Sequence, residues 1–282
     1  MPGVLRPFGS NALISPFGAR RRPLRPWGPR ARRAASMAGL WLAALAPAVG
    51  MTSAALAEDA ATRANAAPTI QAARYDGPTT RYAHGVLGDA IEHTTLVLTL
   101  DDGVERRFTL PETLVFEDTA PRLADVSGDG RPEVIVVESD VKLGARLAVY
   151  TAQGRLTATA PIGQANRWLA PVGAADIDGD GAIEIAYVDR PHLAQVLRLV
   201  RLEGDDLIET ATLRGVTNHR IGWDYIVGGI RTCTGRPEII LSTGDFLANL
   251  SIFWARDQRL DTRPEGRFTG RDSLEALLRC EG

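Results

Sequence analysis

The sequence predicts an all-β domain assembled from repeated four-stranded units. Three observations carry this. From about residue 73 onward, short runs of alternating apolar residues are separated by Gly, Asp, Asn and Pro, the period-2 pattern of half-buried strands. A nine-residue acidic loop occurs twice, DVSGDGRPE at 125–133 and DIDGDGAIE at 176–184. Degenerate copies at 84–92 and 230–238 extend the series, so loop starts fall at 84, 125, 176 and 230, spaced by 41, 51 and 54 residues. Four strands repeating at that length describe a propeller blade, and the chain has sequence for about 4–5 blades.

The N-terminal part stands outside that domain. Residues 1–36 carry Arg6, Arg20, Arg21, Arg22, Arg25, Arg30, Arg32 and Arg33 and no acid. An apolar, Ala-rich stretch follows and ends in Ala55-Leu56-Ala57 before Glu58-Asp59. A basic n-region, a short apolar core and an A-x-A site make residues 1–57 a basic leader and signal peptide, cleaved near Ala57. The destination is the periplasm or the extracellular space. Pro47 and Gly50 interrupt the apolar core, which is too short for a comfortable membrane span; an uncleaved anchor is the competing reading. Arg32-Arg33 is a poor twin-arginine match, because Ala-Ala-Ser follows it. Met1 and Met37 both stay open as starts, and a start at Met37 would leave the n-region almost uncharged. Residues 58–72 are small, polar and alanine-rich and read as a linker, leaving 73–282 as the folded domain.

Charge narrows the partners. The chain has 32 basic and 34 acidic residues; without the leader's 8 arginines the remainder has 24 against 34, a formal −10. Such a surface is a poor match for nucleic acid, whose phosphates demand a positive face. It suits cations.

Strands are expected near 80–87, 94–100, 105–110, 113–117, 122–125, 133–139, 145–150 and 155–160. Further ones fall near 169–175, 183–188, 195–202, 206–213, 223–230, 237–242, 248–255 and 266–269. One helix is expected at Ser273–Arg279, with Asp272 as N-cap and Leu274, Leu277 and Leu278 on one face. Cys233 and Cys280 are the only cysteines. An even count in an exported domain points to one disulfide. Closing a loop of that size stabilises by roughly 3–4 kcal/mol.

Each acidic loop alternates short oxygen-bearing side chains along a tight turn, followed by a glycine and a later carboxylate. The first would use Asp125, Ser127, Asp129, the Arg131 carbonyl and Glu133; the second Asp176, Asp178, Asp180, the Ala182 carbonyl and Glu184. Hard oxygen donors in flexible geometry suit Ca2+, giving two sites. Ordinary acidic hairpin turns are the plain alternative. An EF-hand fails, because its position 12 would be Val136 or Tyr187 rather than Glu. At 230–238 the ligand positions have become Ile230, Thr232 and Thr234, and at 84–92 His84 stands at position 1.

These loops, with apolar VIVV after Glu133 and IAYV after Glu184, make the chain resemble the FG-GAP/VCBS repeat proteins, bacterial exported members included. There a D-x-[DNS]-x-D-G-x-x-[DE] loop joins the first two strands of a blade and holds calcium. The resemblance covers about 80–255 and implies a β-propeller with calcium in the second and third repeats only.

Calcium between strands one and two of a blade would be structural, and the ligand face would lie opposite. Three connections there carry an Arg near an aromatic: Arg81; Arg167 with Trp168; and His219, Arg220, Trp223 and Asp224. Guanidinium groups beside flat apolar surfaces suit a carboxylate, sugar or peptide; the competing reading has them knit neighbouring blades together. No G-x-S-x-G elbow, H-E-x-x-H or Cys–His pairing appears. The expectation is a non-enzymatic binding, adhesion or envelope module for a protein, peptide or carbohydrate, without nucleic acid. The alternative is a hydrolase using His219 and Asp224 on the face opposite the calcium loops.

Overall fold

The computed structural model describes residues 68–281; the leader and the start of the linker lie outside the described residues. The first unit consists of β1 (Ile70–Thr79), β2 (Glu92–Leu100), β3 (Glu105–Thr109) and β4 (Leu114–Phe116). The second holds β5 (Arg122–Ala124), β6 (Glu133–Asp140), β7 (Gly144–Thr151) and β8 (Gly154–Ala158). The third holds β9 (Leu169–Ala175), β10 (Glu184–Asp189), β11 (Val196–Glu203) and β12 (Asp206–Arg214). The fourth holds β13 (Val216–Thr217), β14 (Gly229–Arg231), β15 (Glu238–Thr243), β16 (Ala248–Trp254) and β17 (Leu260–Arg267), followed by helix α1 (Arg271–Leu278). Every pairing is antiparallel. The all-β, blade-type fold expected from the repeats is present.

Units two to four share one register. The glutamate ending each loop opens the second strand and faces the end of the first: Glu133 pairs Ala124, Glu184 pairs Ala175, and Glu238 pairs Arg231. At the other end of that strand, Glu138 faces Phe116, Asp189 faces Leu169, and Thr243 faces Val216. Between those ends the first strand departs from its partner by different amounts. In the third unit it is one strand, β9, with a register shift at Val172. In the second, β4, which pairs β6 as well as β2, supplies the far end of that strand and residues 117–121 leave the ladder between it and β5; in the fourth, residues 218–228 leave it between β13 and β14. These excursions position the residues of the cleft described below.

The sheets stack face to face because their strands are apolar on both sides. Val134 and Val136 of β6 face the first unit, while Ile135 and Val137 face the third. Ile185 and Tyr187 of β10 turn back toward the second unit, and Ala186 and Val188 pack against Ile239 and Leu241 of β15. On the other face of β15, Ile240 meets Leu274 and Leu277 of α1. The C-terminal tail thus covers the fourth sheet as a helix rather than adding a strand. Cys233 and Cys280 form the expected disulfide, with Cα atoms 5.7 Å apart.

Several sequence expectations move. Residues 80–87 form no strand; they belong to an irregular connection, and the strand before it is β1. Gly77-Pro78 within β1 reads as a breaker, yet β1 pairs only with β2, and an edge strand tolerates proline. β1 therefore starts at Ile70, inside the stretch read as linker. The strand expected at 266–269 is β17, whose polar sequence and Pro264 also suit an edge. Of 223–230 only Gly229 and Ile230 are strand, in β14. Asp272 does not cap α1: Gly270 occupies the N-cap, and Asp272 lies in the first turn, where the positive end of the helix dipole still favours it.

The first unit also departs from the repeat. His93 of β2 pairs Phe116, and Phe116 pairs Glu138. The loop at 84–92 therefore sits at the level of the far end of β6, about 15–17 Å from Glu133 at 3.3 Å per residue. It is no counterpart of the calcium-type loops, which explains why its ligand positions are missing.

Candidate functional site

Of the four positions at which the two acidic loops differ, the third, Ser127 against Asp178, changes how the closing glutamate is partnered. In both, the first aspartate caps the turn: Asp125 accepts from the N–H groups of Asp129 (3.1 Å) and Gly130 (2.8 Å), and Asp176 from those of Gly179 (2.7 Å) and Gly181 (3.1 Å). Gly130 and Gly181 have φ of 85° and 95°, where only glycine is unstrained. In the first loop Glu133 is fully partnered: Oε2 accepts from the Val126 and Ser127 N–H groups, and Oε1 from the Ser127 hydroxyl at 3.0 Å. In the second, Asp178 replaces that serine and has no proton to donate. Glu184 Oε2 still accepts from Ile177 N–H at 2.9 Å, but Oε1 is buried without a hydrogen bond, the Arg201 guanidinium being 4.0 Å away. Oxygens of Asp176, Asp178 and Glu184 gather within 4.8 Å of one another. Burial pushes the Glu184 carboxyl upward. An orphaned buried oxygen among clustered carboxylates fits a hard cation. Asp129 and Asp180 are turned elsewhere, onto Arg131 (2.6 Å) and Arg201 (2.7 Å).

In the fourth unit a guanidinium stands at the corresponding turn. Where the metal-type loops have Ala124 and Ala175, it has Arg231. The Arg231 side chain donates to Glu238 (3.0 Å), Ser251 (2.8 Å), Glu265 (2.8 Å) and the Leu277 carbonyl (3.1 Å). Arg263 reaches Glu238 as well, at 3.0 Å. The loop is closed without any metal ligand and is tied to α1.

At the opposite end of the strands the excursions converge on a cleft of about 270 Å3. His84, Asn166, Arg167, Trp168, Arg190, His192, Leu193 and Ile221 line it. Glu117 leaves the ladder just after β4 and is fully buried. It accepts from Ser139 Oγ on Oε2, bonds His84 Nδ1 at 2.6 Å on Oε1, and its carbonyl accepts from Trp168 Nε1 at 2.8 Å. Burial raises the Glu117 carboxyl above its usual range. Across the cleft His219 Nε2 donates to the Trp223 carbonyl at 2.9 Å, so its Nδ1 accepts from His192 Nε2 at 2.9 Å. Burial, then His219 and His84, hold His192 down to about 4, so it is neutral.

The expected ligand-face residues therefore separate. Only Arg167 and Trp168 line the cleft. Arg81 donates to the Pro111 and Leu114 carbonyls and so knits the first unit together. Arg220 lies over Phe246, 4.3 Å from the ring centroid, and over Trp223 at 5.6 Å. His219 is buried with both nitrogens engaged, and Asp224 is exposed. His84, Glu117 and His192 are the residues that sequence reasoning missed. The available signal was Glu117-Asp118 directly after an apolar LVF strand, where an acid pair must be buried or leave the sheet.

Glu92 adds a pH test. Burial, then Glu117, Asp89 and Asp118, push its carboxyl up to about 9. Between the ordinary value of 4.5 and 9 the folded chain holds a proton that the unfolded chain has lost. Stability therefore falls as pH rises through that window. Glu92→Gln mimics the protonated form. It is expected to melt higher than the parent at pH 8.5, by on the order of 5 °C, with the gap closing at pH 4. Parallel melting curves across that range would remove Glu92 from the account.

The fold and loops define an all-β protein of blade-like antiparallel units with two acidic turns at one end. Residues 121–187, which include both acidic loops, match the family model of the FG-GAP-like repeat, so this stretch is an FG-GAP-like repeat segment. No curated protein matches the chain. Among the described residues no helix is long and apolar enough to cross a membrane.

Proposed function

We propose that this chain is an exported, calcium-binding β-propeller module that acts by binding rather than catalysis. Calcium sits in the loops at 125–133 and 176–184, and a protein, peptide or carbohydrate is held at the other end of the strands. The observation that carries the metal reading is the gathering of Asp176, Asp178 and Glu184 around the unpartnered Glu184 Oε1. Bound calcium would neutralise those carboxylates and pin the turn. The FG-GAP-like repeat supports a binding or adhesion role, and the Cys233–Cys280 disulfide suits an oxidising compartment.

Calcium titrated into chelated protein should reveal two sites, the tighter at 176–184, because Glu184 Oε1 there has no hydrogen bond to give up, whereas Glu133 must release the Ser127 hydroxyl in the other loop. At a hundredfold excess over Kd a single site stabilises the fold by about 2.7 kcal/mol, a rise in Tm that chelator reverses. Glu184→Gln should remove the tighter site. No heat of binding and no chelator effect on melting would sink the metal reading.

A hydrolase reading draws on one observation, the His84 imidazole anchored through Nδ1 to the buried Glu117. That is the base-and-orienter pair of a hydrolytic site. No Ser, Thr or Cys is among the residues lining the cleft, so water would have to be the nucleophile. Ester or phosphoester hydrolysis abolished by His84→Ala would favour it over binding alone.

A further inference from the structure

We propose that the histidine cleft binds an organic carboxylate, with the anion between the Arg167 guanidinium and Nε2 of His84 and the apolar body against Trp168, Leu193 and Ile221. This rests on the reading that the ligand is held at the end of the strands opposite the acidic loops.

Arg167 supplies the fixed charge. Its side chain donates only to the neighbouring Asn166 carbonyl, at 2.9 Å, and no carboxylate pairs with it among the described residues. Arg190, on the same rim, is satisfied by both oxygens of Asp189 at 2.7 and 2.8 Å. A guanidinium facing a cleft without an acid is a ready carboxylate receptor.

His84 supplies the second donor through its proton count. With one proton in the His84–Glu117 pair, it sits on Nδ1 and Nε2 is an acceptor. A second proton, whether it makes imidazolium or a neutral carboxyl hydrogen-bonded to Nδ1, leaves Nε2 carrying hydrogen. Either arrangement turns Nε2 into a donor for an anion. His192 cannot do this: its Nε2 hydrogen is committed to His219, and its free Nδ1 is an acceptor.

The surroundings select the kind of anion. The charged and titratable groups about the pair are Tyr82, Asp89, Glu92, Asp118 with its partner Arg122, Asp140, Arg167, Arg190 and His192. With Glu92 protonated, Asp89, Asp118 and Asp140 are set against Arg122, Arg167 and Arg190, so no surplus of positive charge is present for a dianion such as phosphate. Leu193 and Ile221 are 65% and 72% exposed and both line the cleft, a pair of apolar residues held in water where a ligand's body would cover them. An organic monocarboxylate satisfies both conditions.

Calorimetric titration of the full chain with benzoate, neutral benzamide and inorganic phosphate tests this. Benzoate is expected to bind saturably, and benzamide and phosphate at least tenfold more weakly. Arg167→Met should weaken benzoate at least tenfold, while Arg214→Met on exposed β12 leaves it unchanged. His84→Phe should weaken benzoate as well, because the ring then has no Nε2 donor. The proposal is overturned if benzoate does not bind, or if Arg167→Met leaves its affinity intact. Equal binding of benzamide and benzoate, with both lost in Leu193→Asp, would overturn the carboxylate inference alone and leave the ligand face standing.

Discussion

Replacing Arg231 by Met is expected to destabilise the domain by about 3–5 kcal/mol, the cost of leaving a buried charge without its partner. The side chains of Arg231 and Glu238 are 8% and 5% exposed. Removing the guanidinium leaves Glu238 with Arg263, which is half in solvent, as its one charged partner, beside a 3.4 Å bond from the Ser251 hydroxyl. It also removes a donor from Ser251, Glu265 and the Leu277 carbonyl. The double change Arg231→Met with Glu238→Gln should recover more than half of the loss, because no buried carboxylate then remains uncompensated. Denaturant unfolding with the disulfide intact reads both numbers. A loss below about 1 kcal/mol, the worth of an exposed pair, would mean that the network is incidental. Chelator should not deepen the defect, since this loop closes on arginine where the third unit's loop gathers acids.

The contrast shows what the sequence could and could not reveal. The spacing of Asp176, Asp178 and Glu184 is legible because ligand positions follow a fixed period, and strands β6 and β10 are legible because both faces are apolar. Arg231 was not, because counting back from Glu238 sets it at position 2, whereas the pairing puts it opposite Glu238, where Ala124 and Ala175 stand in the longer loops. The loss of acids at Thr232 and Thr234 could be read, but not the arginine that closes the turn. His84 was misassigned for a related reason. Its distance from Glu92 imitates the loop period, and only the pairing of His93 with Phe116 places it at the other end of the sheet. The cleft depends on how far 117–121 and 218–228 leave their ladders, and excursion length has no periodic signature.

Trp168→Ala is expected to cost about 3–5 kcal/mol, the range for a fully packed tryptophan. The indole is 2% exposed and lies among Ile135, Val137, Leu169 and Tyr187, between the second and third units. Its ring meets the edge of His219 at 4.9 Å between centroids, and Nε1 satisfies the Glu117 carbonyl. Trp168→Phe keeps most of the volume but leaves that buried carbonyl unpaired, for a smaller loss of about 1–3 kcal/mol. Arg167→Met, one residue away on the rim, should change stability by less than about 0.5 kcal/mol. Urea unfolding of the three variants gives the order, and the histidine ring proton signals report whether His192 and His219 keep their mutual bond. If Trp168→Phe costs as much as alanine, the hydrogen bond to Glu117, not packing, holds the cleft together. If it costs nothing, Glu117 is positioned by His84 and Ser139 alone. The small effect expected for Arg167 makes the cleft testable: its charge can be removed without disturbing the tryptophan that shapes it.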